Sequence, residues 1–182
     1  MLDTAMRKYV RWVDAFNYGL GRVIMFGIFV LMGILLISSI NKTFFTPTLW
    51  TLEMAQFVMV GYYILGGPFA MQMGANVRMD LLYGELTPRK KAWTDSFTVL
   101  FLIAYLGVLL WGGIDSTIYS FQYGGERSPS AWRPYLWPIK TIMCAGIFLM
   151  LLQAISELFK DILFIRTGTP VRHQNEEQGD AL

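Results

Sequence analysis

From Met54 to Val77 the chain carries no charged side chain, and this run is closed by Glu53 on one side and by Arg78-Met79-Asp80 on the other. At 1.5 Å per residue, such a run spans a hydrocarbon core of about 30 Å as a helix. An ionised group at the centre of a spanning helix costs about 2.5–3.5 kcal/mol on the insertion scale, and less toward the ends. The acid at one mouth and the Arg and Asp at the other therefore need a headgroup, water or a partner side chain.

Three more stretches repeat the pattern. Val23 to Ile40 and Ser96 to Ile114 are free of charge, and so is the run from Thr141 to Ser156 before Glu157. Hydrophobic residues make up 54 % of the chain and charged ones 15 %, against about a quarter charged in a soluble domain. The reading is an all-α integral membrane protein of four transmembrane helices with an amphipathic arm at the N-terminus. Residues 1–168 form a single membrane domain, with the arm over about 2–20 and spans over about 21–40, 50–74, 95–114 and 136–158. The polar stretch 169–182 has almost nothing to bury and is expected to be disordered. The start of the chain lacks a continuous apolar core and an A-x-A site, so no cleavable signal peptide is expected.

In the arm, Leu2, Met6, Tyr9, Val10, Val13, Phe16 and Leu20 recur at helical spacing, while Asp3, Arg7, Lys8, Arg11 and Asp14 fall mostly on the other side. That pattern suits a helix in the headgroup plane with Arg7, Lys8 and Arg11 toward anionic lipid. Arg89, Lys90 and Lys91 offer a second basic patch. Thr46-Pro47 and Thr87-Pro88 both read as helix starts, with Thr as N-cap and Pro in the first turn. Gly66-Gly67-Pro68 is expected to kink the second span. Gly66, Ala70 and Gly74 form a small-residue ridge on which another helix can pack closely. The third helix is expected to run on through Asp115, Tyr119 and Phe121 to Gly124-Gly125. Trp132, Tyr135 and Trp137 mark an interface belt, to which Lys140 snorkels.

Eleven of the fifteen Lys and Arg residues lie in the arm, the 78–95 link and the tail, and four lie on the other side. The bias toward basic cytoplasmic segments puts both termini inside the cell.

The spans hold no histidine for haem, because the single His173 is in the tail, and no Cys/His cluster for a metal. Catalytic motifs are missing as well. Cys144 is the sole cysteine and reads as a packing residue. No enzyme activity, cofactor or nucleic-acid partner is expected. With charge confined to the ends of the spans, the chain reads as a supporting subunit. The alternative is a small exporter or channel working as a homo-oligomer, with Glu53 in proton coupling.

Trp50-x-x-Glu53, the Gly- and Ala-containing span after it, Asn76-Val77-Arg78-Met79-Asp80, and Gly124-Gly125-Glu126-x-Ser128 before Trp137-Pro138 together resemble the small, DctQ-type membrane subunit of tripartite ATP-independent periplasmic (TRAP) transporters. The resemblance covers about residues 10–165. It implies a large multi-span partner that carries an organic acid inward with sodium, a periplasmic substrate-binding protein that captures it, and a location in the bacterial inner membrane. The small subunit braces the large one. Trp50, Glu53, Arg78, Asp80 and Glu126 would then be structural or partner-contact residues. Asn76 departs from the family, many members of which have His there, so no imidazole role carries over. The run Gly125 to Trp132 is similar to that of members importing 2-oxo acids or related monocarboxylates.

Overall fold

The computed structural model describes residues 2–46, 48–74, 88–122 and 126–167. Among these residues there are five helices: α1 (Leu2–Ile24), α2 (Gly27–Phe44), α3 (Thr51–Gln72), α4 (Pro88–Gln122) and α5 (Trp137–Thr167). Four stretches of the described residues are long and apolar enough to cross a membrane, α1 and α2 forming one of them around a short turn at Met25-Phe26. Among the described residues no strand forms. The nearest approach to one is a single antiparallel bridge between Arg127 and Tyr135.

Several boundaries differ from the sequence expectation. The second spanning helix begins at Thr51, not at Thr46-Pro47. The Thr51 hydroxyl is fully buried and lies 3.0 Å from those of both Thr48 and Ser38. These contacts turn the chain into the helix, and Glu53 becomes its third residue. In the first uncharged run, Val23 and Ile24 end α1 and Gly27 begins α2. Pro88 does open α4, which runs on past Asp115, Tyr119 and Phe121. At 35 and 31 residues, α4 and α5 are about 52 and 46 Å long at 1.5 Å per residue, well beyond the hydrocarbon core.

The helix α5 is the hub, with α1, α3 and α4 packed against it; α2 lies outermost on α3. A core of Leu106, Ile147 and Ala154 joins α4 to α5, filled in by Met143, Met150 and Met71. Pro68 leaves α3 continuous, but its missing N–H frees the carbonyl of Ile64. There α5 packs closely: a Cβ on Gly146 would lie 3.2 Å from the carbonyl carbon and oxygen of Ile64 and overlap its side chain. Gly67 likewise receives the Met150 thioether.

The close helix contact inside the chain is thus made by Gly67 and Gly146 rather than by the ridge at Gly66, Ala70 and Gly74. A Cβ on Gly66 would meet open space. Gly74 has φ 64° and follows the last turn of α3, where its N–H bonds the Met71 carbonyl; this left-handed helix ending favours glycine.

Candidate functional site

Two polar clusters occupy opposite ends of the bundle. At the end where α3 and α5 begin, the 126–136 loop folds back on itself: Ser128 N–H donates to the Pro134 carbonyl and Leu136 N–H to that of Glu126, each at 3.0 Å. Arg133 takes φ 52° in this tight loop. Two side-chain links dock the loop on the bundle. Ser128 Oγ donates to Glu53 Oε1 at 2.9 Å, and the Glu126 carboxylate accepts from Lys140 Nζ and from Ser120 Oγ. Lys140, read as a snorkelling lysine, is instead an ion-pair partner, because Glu126 lies within its reach. The Lys140 ammonium and the Ser120 hydroxyl hold the Glu126 carboxyl below its ordinary value.

Glu53 is 9 % exposed, and its Oε2 has no hydrogen-bond partner among the described residues. The first turn of a helix favours its negative charge, and Ser128 satisfies one oxygen. The other is enclosed within the fold with no donor facing it among the described residues. Trp50, at the N-cap position, is partly exposed and makes no capping bond.

At the other end lies a cluster the sequence analysis did not assemble. Asp14 Oδ2 pairs with Lys160 Nζ at 2.7 Å, and Lys160 also reaches Glu157 at 2.8 Å. Asp14 Oδ1 accepts from Ser156 Oγ and Gln153 Nε2, each at 3.1 Å. Gln153 Nε2 also donates to Glu157 Oε1. With its amide nitrogen facing two carboxylates, Gln153 must present its oxygen to Asn17, whose Nδ2 donates at 2.7 Å. Gln72 of α3 donates to the Asp14 carbonyl. The pairs Asp3–Arg166 and Asn17–Gln153 run in opposite directions along the two helices, so α1 lies antiparallel along the second half of α5.

This corrects the reading of the arm. Asp14 faces the bundle, together with Met6, Val10, Val13, Asn17 and Gly21, whose Cβ would overlap Phe69. Phe16, read as part of the buried face, is exposed beside Trp12, on which it stacks. The arm's inclination follows α5 instead of being set by the headgroup plane alone, because a buried carboxylate at Asp14 has to reach the Lys160 ammonium. Arg7, Lys8 and Arg11 are exposed as expected, and Lys90 too. One polar stripe was legible: Gln153, Ser156, Glu157 and Lys160 share a helix face at spacings of three and four residues.

Arg78 and Asp80 lie outside the described residues, as do Asn76, the Gly124-Gly125 stop and the 169–182 tail; the side chain of Arg89 is also outside them. Cys144 sits 3.3 Å from the Thr117 hydroxyl in the α4–α5 contact, a packing position. Among the described residues no group of His, Cys, Asp or Glu has a metal-binding arrangement.

Measured along α5 from Trp137, Gln153 lies about 24 Å and Lys160 about 34 Å away. With Trp137 in an interface belt, the Lys160 pairs fall at the opposite interface, and the ionised residues of α5 stay out of the bilayer centre. The geometry is that of a multi-pass helical membrane protein whose charges tie its elements together at the ends. Over residues 31–164 the chain matches the model of the family described as tripartite ATP-independent periplasmic transporters, DctQ component, and it belongs to that family. It is a TRAP transporter small permease subunit, a multi-pass protein of the inner membrane. No curated protein and no solved structure matches it.

Proposed function

We propose that this chain is the non-catalytic brace of a secondary importer of organic acids, coupled to an ion gradient, with sodium as the ion. A large multi-span subunit carries the solute, and a periplasmic substrate-binding protein delivers it. The resemblance at Gly125 to Trp132 favours a 2-oxo acid or related monocarboxylate as substrate. Both termini face the cytoplasm, following the excess of basic residues in the arm, the 78–95 link and the tail.

The observation that carries this reading is the Asp14–Lys160 knot. A subunit that resists the movement of a neighbour needs its arm fixed to its spans, and here the arm is joined to the hub helix by an ion pair and a chain of buried hydrogen bonds. Exposed Arg7, Lys8 and Arg11 add a hold on anionic headgroups. At the other end, exposed Trp50, one helical turn from the buried Glu53, offers a contact for the large subunit, with Gly66 as an open face along α3. Arg78, Asp80 and Glu126 are proposed as structural or contact residues on the same grounds of resemblance.

The test is co-purification with the large subunit, followed by uptake in liposomes containing both membrane subunits and the binding protein. Uptake only when all three are present supports the proposal. Solute flux through the small subunit alone, abolished by Glu53→Gln, overturns it in favour of a self-sufficient carrier.

A further inference from the structure

A groove of about 800 Å³ opens sideways between α2, α3 and the start of α5. Its walls are apolar: Val30 of α2, Phe57, Val58 and Leu65 of α3, and Ile142 of α5. Trp132, Tyr135 and Trp137 close its upper end. On α3 the lining runs from Met54, beside the interfacial Glu53, to Leu65, a depth of about 16 Å. Half of a 30 Å hydrocarbon core is about 15 Å, so the groove is one leaflet deep.

The depth of one leaflet and the charge at the mouth select among occupants. A methylene chain whose neighbours pack at about 4 Å is about 5 Å across, and two such chains fit side by side within the space.

The mouth carries the matching charge. Arg133 lies between the lining residues Trp132 and Pro134 and is exposed. The Arg127 guanidinium stacks over the ring of Tyr135 at 4.6 Å from its centre and donates to its hydroxyl at 2.7 Å. Glu126, the carboxylate next to them, is already taken by Lys140. Among the described residues neither arginine pairs with a carboxylate, so both guanidiniums are available to a phosphate at headgroup level.

We infer that this groove is a phospholipid site, holding the acyl chains of one lipid of the Glu53-side leaflet while Arg127 and Arg133 contact its phosphate. The inference needs only a bilayer around the chain and goes beyond the bracing role. A lipid seated there fills the space between α2 and α5, both of which line it.

Native mass spectrometry of the full-length chain in mild detergent tests this, with added palmitoyl-oleoyl phosphatidylglycerol and, as a headgroup-free probe, palmitoyl-oleoyl glycerol. One phosphatidylglycerol per chain is expected to survive removal of the detergent. Arg127→Gln and Arg133→Gln should each weaken retention about fivefold, without changing that of the glycerol probe. Val58→Trp, which fills the groove, should weaken both lipids tenfold or more. The arginine changes lie on the surface and keep the test open if the tryptophan variant fails to fold. Equal retention of both lipids by the wild type, or no effect of the arginine changes, overturns the site. So does loss of the lipid when the large subunit is bound, which would make the groove a protein contact. That result leaves the bracing proposal standing, since co-purification reads the latter independently.

Discussion

Lys160 Nζ lies 2.7 Å from Asp14 Oδ2 and joins the first helix of the chain to the last. Both side chains are nearly buried, at 10 % and 12 % exposure. Losing one member of a buried pair costs about 3–5 kcal/mol, because the other charge is stranded. Here Lys160→Met strands two carboxylates, Asp14 and Glu157, so its effect should reach that range. Adding Asp14→Asn should restore part of the loss. A double-mutant cycle by thermal unfolding in detergent measures this coupling, expected at about 1–3 kcal/mol; strictly additive changes would show that the arm is held by other contacts.

Gly146 and Gly66 should respond in opposite ways to the same substitution. Gly146→Ala places a methyl against the Ile64 side chain and backbone carbonyl, and a carbonyl within a helix cannot swing aside. Overpacking of this kind costs about 1–3 kcal/mol. Gly66→Ala meets open space and should leave the isolated subunit as stable as before, or slightly more so. If Gly66 faces the large subunit, the same change lowers co-purification. Melting curves combined with pull-down yields separate these results.

Ser128 is the one donor to Glu53 among the described residues. Ser128→Ala leaves a buried carboxylate with neither oxygen satisfied, at a cost of about 1–3 kcal/mol. Both Ser128→Ala and Glu53→Gln should loosen the 126–136 loop, detected as faster tryptic cleavage after Arg127. If cleavage rates do not change, the loop is held by the Glu126–Lys140 pair alone.

Acid should release that second link. The Glu126 carboxyl titrates below its ordinary value of 4.5 because Lys140 and Ser120 donate to it in the folded protein. A carboxyl with a depressed folded pKa contributes stability that is fully present above its unfolded value and is lost as pH falls through the folded one. The melting temperature should therefore drop as pH is lowered beneath 4.5. Lys140→Met should flatten that part of the profile, and an identical profile in the variant would assign the acid sensitivity to other groups.

Neutralising Arg7, Lys8 and Arg11 together to Gln removes about 1 kcal/mol of headgroup attraction per residue. The knot at Asp14 keeps the arm folded on α5, so subunit stability in detergent should hold. Uptake or assembly in anionic liposomes should fall, and values that stay level for both would remove the headgroup role from the arm.

The amino-acid sequence on its own determined what depends on local composition. Four uncharged runs can satisfy their backbone in lipid as helices, Pro88 begins a helix because its missing N–H costs nothing there, and the ordered motifs from Trp50 to Trp137 point to the family. Tertiary structure decided what depends on which faces meet. Asp14 and Gln153 are ordinary polar residues in separate segments until α1 lies antiparallel on α5. Gly146 becomes irreplaceable only beside the Ile64 carbonyl that Pro68 sets free. Lys140 reads as a headgroup seeker until the loop brings Glu126 to it. Hydropathy is a property of a segment and survives in the sequence, whereas pairing across a fold depends on helix rotation and register, which no single segment encodes.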